Sequence, residues 1–161
     1  MSDYSLTTFD QSGVLTQVKY ALTAVANGET CLGIRAKNGI VIAAEKKISS
    51  ILVDESTIRK IDNIAPYMGI SYSGIGADFS SVVRKSRKDC QVYHSRYIDR
   101  ITPFMLCKQT AELFQEYTQS GGVRPFGVGL IVGGWDEKDG GQIFQIEASG
   151  TYYSWKATAL G

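Results

Sequence analysis

Cys90 and His94 stand four residues apart in a run that reads as helix, the spacing of two metal ligands on one face. His94 is the only histidine of the 161 residues, and nothing nearby supplies a third or fourth ligand, so it reads as a partly buried helix histidine with no metal. A Ser-His-Asp triad would need this same His94, and no GxSxG turn is present to display a serine. The run SGIGADF at 73–79 follows a predicted strand and opens a predicted helix, which is the context of a dinucleotide loop. Phe79 takes the place of the third glycine and no βαβ unit follows, so Gly74 and Gly76 read as a tight strand-to-helix turn. Arg84, Lys85, Arg87 and Lys88 form a basic cluster without interleaved aromatic residues, which reads as a solvated or subunit-contact face. No cofactor is expected.

The bulk properties narrow the choice further. Seventeen basic side chains stand against 16 acidic ones, so no long-range field draws the chain to nucleic acid or to an anionic membrane. Apolar runs such as 40–44 are too short to span a bilayer, and no basic start leads into an apolar stretch as a secretory signal would. Cys31, Cys90 and Cys107 are odd in number and widely spaced, against a disulfide framework and against zinc. A soluble protein of a reducing compartment is expected, with each cysteine a small buried hydrophobe. An apolar content of 43% is enough for the core of one domain.

The elements that would position these residues follow from periodicity. Residues 1–10 show none and are expected to be extended or mobile. Leu15, Val18, Leu22 and Val25 recur at helical spacing, predicting a helix over 14–27 with Ser12 as N-cap and Gly28 as stop. TCLGIRA from Thr30 and IVIAAE from Ile40 predict two strands joined by a type I′ turn at Asn38-Gly39. Further strands are predicted over 49–53 and 67–73. Asp78 opens a long helix lined by Phe79, Val82, Val83, Cys90, Tyr93 and Tyr97. Thr102-Pro103 starts another, with the stripe Leu106, Leu113, Phe114 and Tyr117, ended by Gly121-Gly122. Strands over 126–133, 142–147 and 152–158 close the chain. This order lacks strict βα alternation and predicts a single, mainly antiparallel α+β domain with helices on one sheet face.

One string is far more specific than any of these patterns. YTQSGGVRPFGV at 117–128 links a helix end to a core strand, and it resembles the signature of alpha-type subunits of the proteasome core particle. The likeness extends to TTF at 7–9, Gly13, Leu15, QVxYA at 17–21, NGIVIAAEKK at 38–47, YSGIGAD at 72–78 and WKATALG at 155–161. SLTTF from Ser5 and the WKATA ending are most similar to the type 2 branch. The resemblance implies an α-β-β-α four-layer sandwich of the N-terminal nucleophile hydrolase type. Members normally continue past the position of Gly161 with two more helices and two more strands. The expectation is therefore one domain over 1–161 that lacks its C-terminal helix layer and leaves a sheet face uncovered. Within it, 1–13 would be a gate segment and 14–27 the N-terminal helix. Gly121, Gly122, Arg124 and Pro125 would be structural members of the signature.

What the resemblance implies for function is a non-catalytic role in ubiquitin-dependent protein degradation, in the cytoplasm and nucleus. Seven alpha subunits form the outer ring of a barrel whose inner beta rings hold the threonine proteases. The N-terminal segments close the axial pore, and pockets between neighbours accept the C-terminal tails of the regulatory particle or other activators. The implied partners are neighbouring alpha subunits, beta-ring subunits and such activators. Asp3, Tyr4, Ser5, Phe9, Gly13 and Tyr20 would make gate and ring contacts. Lys60, with Gly28 and Ile75, would form the tail pocket, its ammonium pairing with a terminal carboxylate; by itself Lys60 reads as a surface lysine. The protease nucleophile position falls at Glu29, with Glu45 and Lys60 near the acid and lysine positions, so no catalytic residue is expected. Thr30 and Cys31 would become terminal only if the first helix were removed. Three departures bear on the gate: Gln11 replaces a usual proline, Lys19 reverses a usual glutamate, and only Asp3 remains of a Tyr-Asp-Arg motif.

Overall fold

The computed structural model describes residues 8–161. In chain order they form α1 (Thr16–Ala26), β1 (Cys31–Arg35), β2 (Ile40–Ala44), a 3-10 turn (Glu55–Thr57), β3 (Ile61–Ala65), β4 (Met68–Gly74), α2 (Gly76–Tyr97), α3 (Pro103–Gln119), β5 (Val128–Asp136), β6 (Gly140–Ile146), β7 (Tyr152–Trp155) and β8 (Ala157–Leu160). The strands make two sheets, of order β3-β4-β5-β6-β7 and β2-β1-β8, and every pairing between them is antiparallel.

β5 is buried on both faces because its residues alternate between two interfaces. Val128, Leu130 and Val132 face the helices, where Phe79, Val82, Leu106 and Phe114 complete the larger core. Ile131 faces the second sheet together with Ile143 and Cys31. Side chains at Gly129 and Gly133 would collide with Val25 and with Ile42, so these two positions let α1 and β2 lie close. Burying a side chain such as Phe114 or Leu130 contributes about 1.5–3 kcal/mol. The layers are therefore α2 with α3, then the five-stranded sheet, then the three-stranded sheet. They are the first three layers of the expected α-β-β-α sandwich. The outward face of the last sheet, where Ile34 and Val41 pair across strands, is exposed.

Most of the element reading holds, with informative exceptions. Thr102 caps α3 by accepting from the Met105 N–H at 3.2 Å, with Pro103 at the first turn, as predicted. Ser12 does not cap α1; Leu15 stands at that place without a side-chain cap, and the Ser12 hydroxyl is turned to Asp10. Asn38-Gly39 is not a type I′ turn, since neither residue has positive φ. The connection spans four residues, closed by the Ala36 N–H on the Gly39 carbonyl, and its extra length removes the need for the left-handed backbone. The strand over 49–53 is absent: Ile51 and Leu52 are 99% and 91% exposed in a turn that no neighbouring strand supports. β3 carries Asp62 and Asn63 and escaped the periodicity reading. The single strand over 152–158 is two, broken at Lys156, with β7 closing one sheet and β8 the other. Asp78 lies inside the first turn of α2, which begins two residues earlier.

His94 is exposed rather than partly buried. Cys90 is buried, and burial pushes its thiol up to about 11. Among the described residues no group of three His, Cys, Asp or Glu could hold a metal ion. The basic cluster is a solvated helix face in part: Lys85 pairs with Asp89 at 2.6 Å, while Arg87 reaches Asp62 and the Asn63 carbonyl and ties α2 to β3. No helix among the described residues is long and apolar enough to cross a membrane.

Candidate functional site

The C-terminal end of β4 is the meeting point of the residues that mattered in the sequence. Gly74 has φ 111° and lies against the Gly127 carbonyl, a position no side chain could share. Ile75 donates its N–H to that carbonyl at 2.9 Å and caps α2. From the other side α1 arrives: the Ser73 hydroxyl donates to the Val25 carbonyl at 2.8 Å, and Gly28 lies so close to Ser73 and Gly74 that a Cβ would collide with both. These contacts fix the point at which the chain leaves α1 as Glu29 and starts β1.

Lys60, just before β3, is 7% exposed and is not the surface lysine its composition suggests. Its Nζ lies 3.2 Å from Glu29 Oε2 and 4.1 Å from the centroid of the Tyr72 ring. Tyr72 stacks on Phe79, and a side chain at Gly76 would meet its hydroxyl. Lys60 thus rests on Tyr72, Gly76 adjoins the Tyr72 hydroxyl and Gly28 adjoins Gly74, while the exposed Ile75 side chain lies over Gly127. Hydrogen bonding by backbone N–H and by Lys60 holds the Glu29 carboxyl below its usual range. An ammonium resting on an aromatic face and paired with a carboxylate is protonated and therefore not a nucleophile. Cys31 is buried and its thiol is raised by burial, so it is not a thiolate. Glu45 is exposed, with its backbone N–H on the Thr30 carbonyl at 2.7 Å.

The signature string meets the same turn. Arg124 grips Asp78 with two hydrogen bonds of 2.7 and 2.8 Å, and the Gly127 N–H adds a third to the same carboxylate at 2.9 Å. YSGIGAD and VRPFGV are therefore two halves of one joint, which locks the start of α2 to the start of β5. Asp78 is held below its ordinary value, first by Arg124. Pro125 is buried, and Gly122 takes φ 84° just after the end of α3.

At the N-terminal side Asp3, Tyr4 and Ser5 lie outside the described residues. Phe9 is exposed and bridges to Leu15 across a reverse turn. Asp10 builds that turn: one carboxylate oxygen accepts from the Ser12 N–H, the Ser12 hydroxyl and the Val14 N–H. Gly13 completes it at φ 79°. The turn forms with Gln11 in place of proline, because Asp10 supplies by hydrogen bonding what the ring would supply by stiffness. Tyr20 is exposed on α1.

Sequence reasoning missed Asp10, the partnership of Glu29 with Lys60, and that of Asp78 with Arg124. The first had a local signal, Asp-x-Ser-Gly, which is turn chemistry. The other two join residues 31 and 46 positions apart, and nothing local announces them.

Comparison with known proteins gives a consistent picture. The family described as proteasome subunit matches residues 25–161. Proteasome subunit alpha type-2 of Oryza sativa subsp. japonica is 54% identical over 158 residues, covering 98% of this chain and 67% of the rice protein. Proteasome subunit alpha type-2-A of Arabidopsis thaliana has the same identity and coverage. Proteasome subunit alpha type-2 of Dictyostelium discoideum is 48% identical over 162 residues, covering 99% of this chain and 69% of its own length.

Proposed function

The chain belongs to the proteasome subunit family, and from that premise we propose that it is a non-catalytic alpha-ring subunit that helps gate the core particle and receives regulator tails. The observation that carries this reading is the Glu29–Lys60 pair. In protease members a freed terminal threonine stands where Glu29 stands, and its own amine serves as base. Glu29 has no hydroxyl, its amide nitrogen is within the chain, and α1 is fastened in front of it through Ser73 and Gly28. The lysine that would assist acyl transfer is instead neutralised by a carboxylate. What remains is a cation held on the Tyr72 ring, whose charge suits a peptide's terminal carboxylate, with Ile75 as the exposed apolar residue proposed to complete the pocket.

In this reading Lys60, Gly28 and Ile75 contribute one wall of a tail pocket shared with an adjacent alpha subunit in a seven-membered ring. Residues before Phe9 help close the pore, and Phe9, Gly13 and Tyr20 contact neighbouring subunits. Beta-ring subunits and a regulatory particle are the remaining partners, in the cytoplasm and nucleus. The test is the native mass of the protein in cell extract. Co-migration with a particle of several hundred kilodaltons, together with peptidase activity, is the expected result; a purely monomeric pool would sink the reading.

A further inference from the structure

Lys60 and Glu29 are unequally placed, since the lysine is 7% exposed and Glu29 40%. The ammonium has two supports. The Tyr72 ring lies 4.1 Å away and holds the cation in place without supplying a hydrogen-bond acceptor. Glu29 supplies the acceptor, and it does so from the solvent side. Its backbone is pinned by the packing of Gly28 on Ser73 and Gly74, while its side chain is 40% exposed and its carboxylate is held by hydrogen bonds from its own N–H and from Lys60, without burial.

We propose that Glu29 is an internal competitor: it occupies the Lys60 ammonium until an incoming C-terminal carboxylate displaces it, and so sets how tightly this pocket holds a tail. This rests on the docking role of Lys60 given above. The exchange is carboxylate for carboxylate, so the net charge at Lys60 is unchanged and only position and solvation differ. An ion pair with one exposed partner is weak, so removing the competitor should strengthen docking about three- to five-fold rather than by orders of magnitude. Glu29 acts here as a positioning residue for Lys60, with no contact to the ligand required.

The experiment uses assembled core particles carrying the native chain, Glu29→Gln or Lys60→Ala. The probe is a synthetic peptide copying an activator's C-terminal tail and bearing a photo-crosslinker, made with a free terminal carboxylate and again as the terminal amide. Capture on this chain is read by mass, which separates its pocket from the others in the ring. Glu29→Gln should lower half-saturation for the free-acid peptide about three- to five-fold and leave the amide unchanged. A general loosening of the site would shift both peptides alike. Lys60→Ala should weaken the free-acid peptide. Should it not, the docking reading itself falls. Weakening by Lys60→Ala without strengthening by Glu29→Gln, or equal strengthening for acid and amide, overturns the competitor role alone. Glu29→Thr, also uncharged, supplies the same two arms if Glu29→Gln fails to assemble.

Discussion

Asp78 gathers two N–H groups of Arg124 and the buried N–H of Gly127 on one carboxylate, and the start of α2 depends on it. Removing the charge by Asp78→Asn should cost about 1–2 kcal/mol at pH 7, less than a wholly buried pair because the Arg124 side chain is half in solvent. The pH dependence has a definite sign. Arg124 depresses the folded-state value of Asp78 below the unfolded value, so the stabilisation is complete above about pH 4 and is lost as pH falls through the depressed value. Urea midpoints of the native chain and Asp78→Asn should therefore differ at pH 7 and converge in strong acid. A gap that stays constant down to pH 2 would contradict the assignment. Lys60 belongs to the same scale. Its burial on Tyr72 predicts that Lys60→Ala weakens tail docking without disturbing ring assembly, measured by peptide titration and native mass of the same particle. No residue count or spacing distinguishes Lys60 from the exposed Arg59 beside it; the family resemblance singles it out, and the arrival of Glu29 and Tyr72 buries it.

Among elements, the ends are decided by single residues. α2 stops at Ile98, whose φ of 55° is a left-handed conformation that a β-branched residue adopts at a cost, and whose side chain is 87% exposed. Ile98→Gly should stabilise the fold by about 1 kcal/mol, read as a raised thermal midpoint, because glycine takes that backbone without strain. Gly28→Ala should do the opposite, by about 1–3 kcal/mol, since the added methyl meets the Ser73 hydroxyl and also the Gly74 backbone, which cannot rotate away. Hydrogen exchange should show the loss concentrated in α1. On the gating role proposed above, deleting the residues before Phe9 should raise hydrolysis of small peptides by the assembled core. No change would mean that other subunits hold the pore closed. The helices were readable because their apolar stripes and the Thr102-Pro103 start are local. β3 and the break at Lys156 were not, because a strand with Asp62 and Asn63 is stabilised by β4 and by Arg87, neither of which is near in sequence.

At the scale of the molecule, the three-stranded sheet turns Ile34 and Val41 outward with nothing over them among the described residues. Such a face drives association. Replacing both by lysine should lower hydrophobic-dye binding and aggregation of the isolated chain, measured by fluorescence and light scattering. The sequence alone determined the helical stripes, the antiparallel α+β class and the family resemblance. All of these rest on residue type at short spacing, which the chain itself carries. Tertiary structure decided that one predicted strand serves two sheets and that the two signature strings are a single joint. It also made Lys60 a buried, aromatic-backed cation already paired with Glu29. Burial and partner choice depend on which distant segments meet, and those meetings are fixed by the packing of β4 and β5 between helices and sheet.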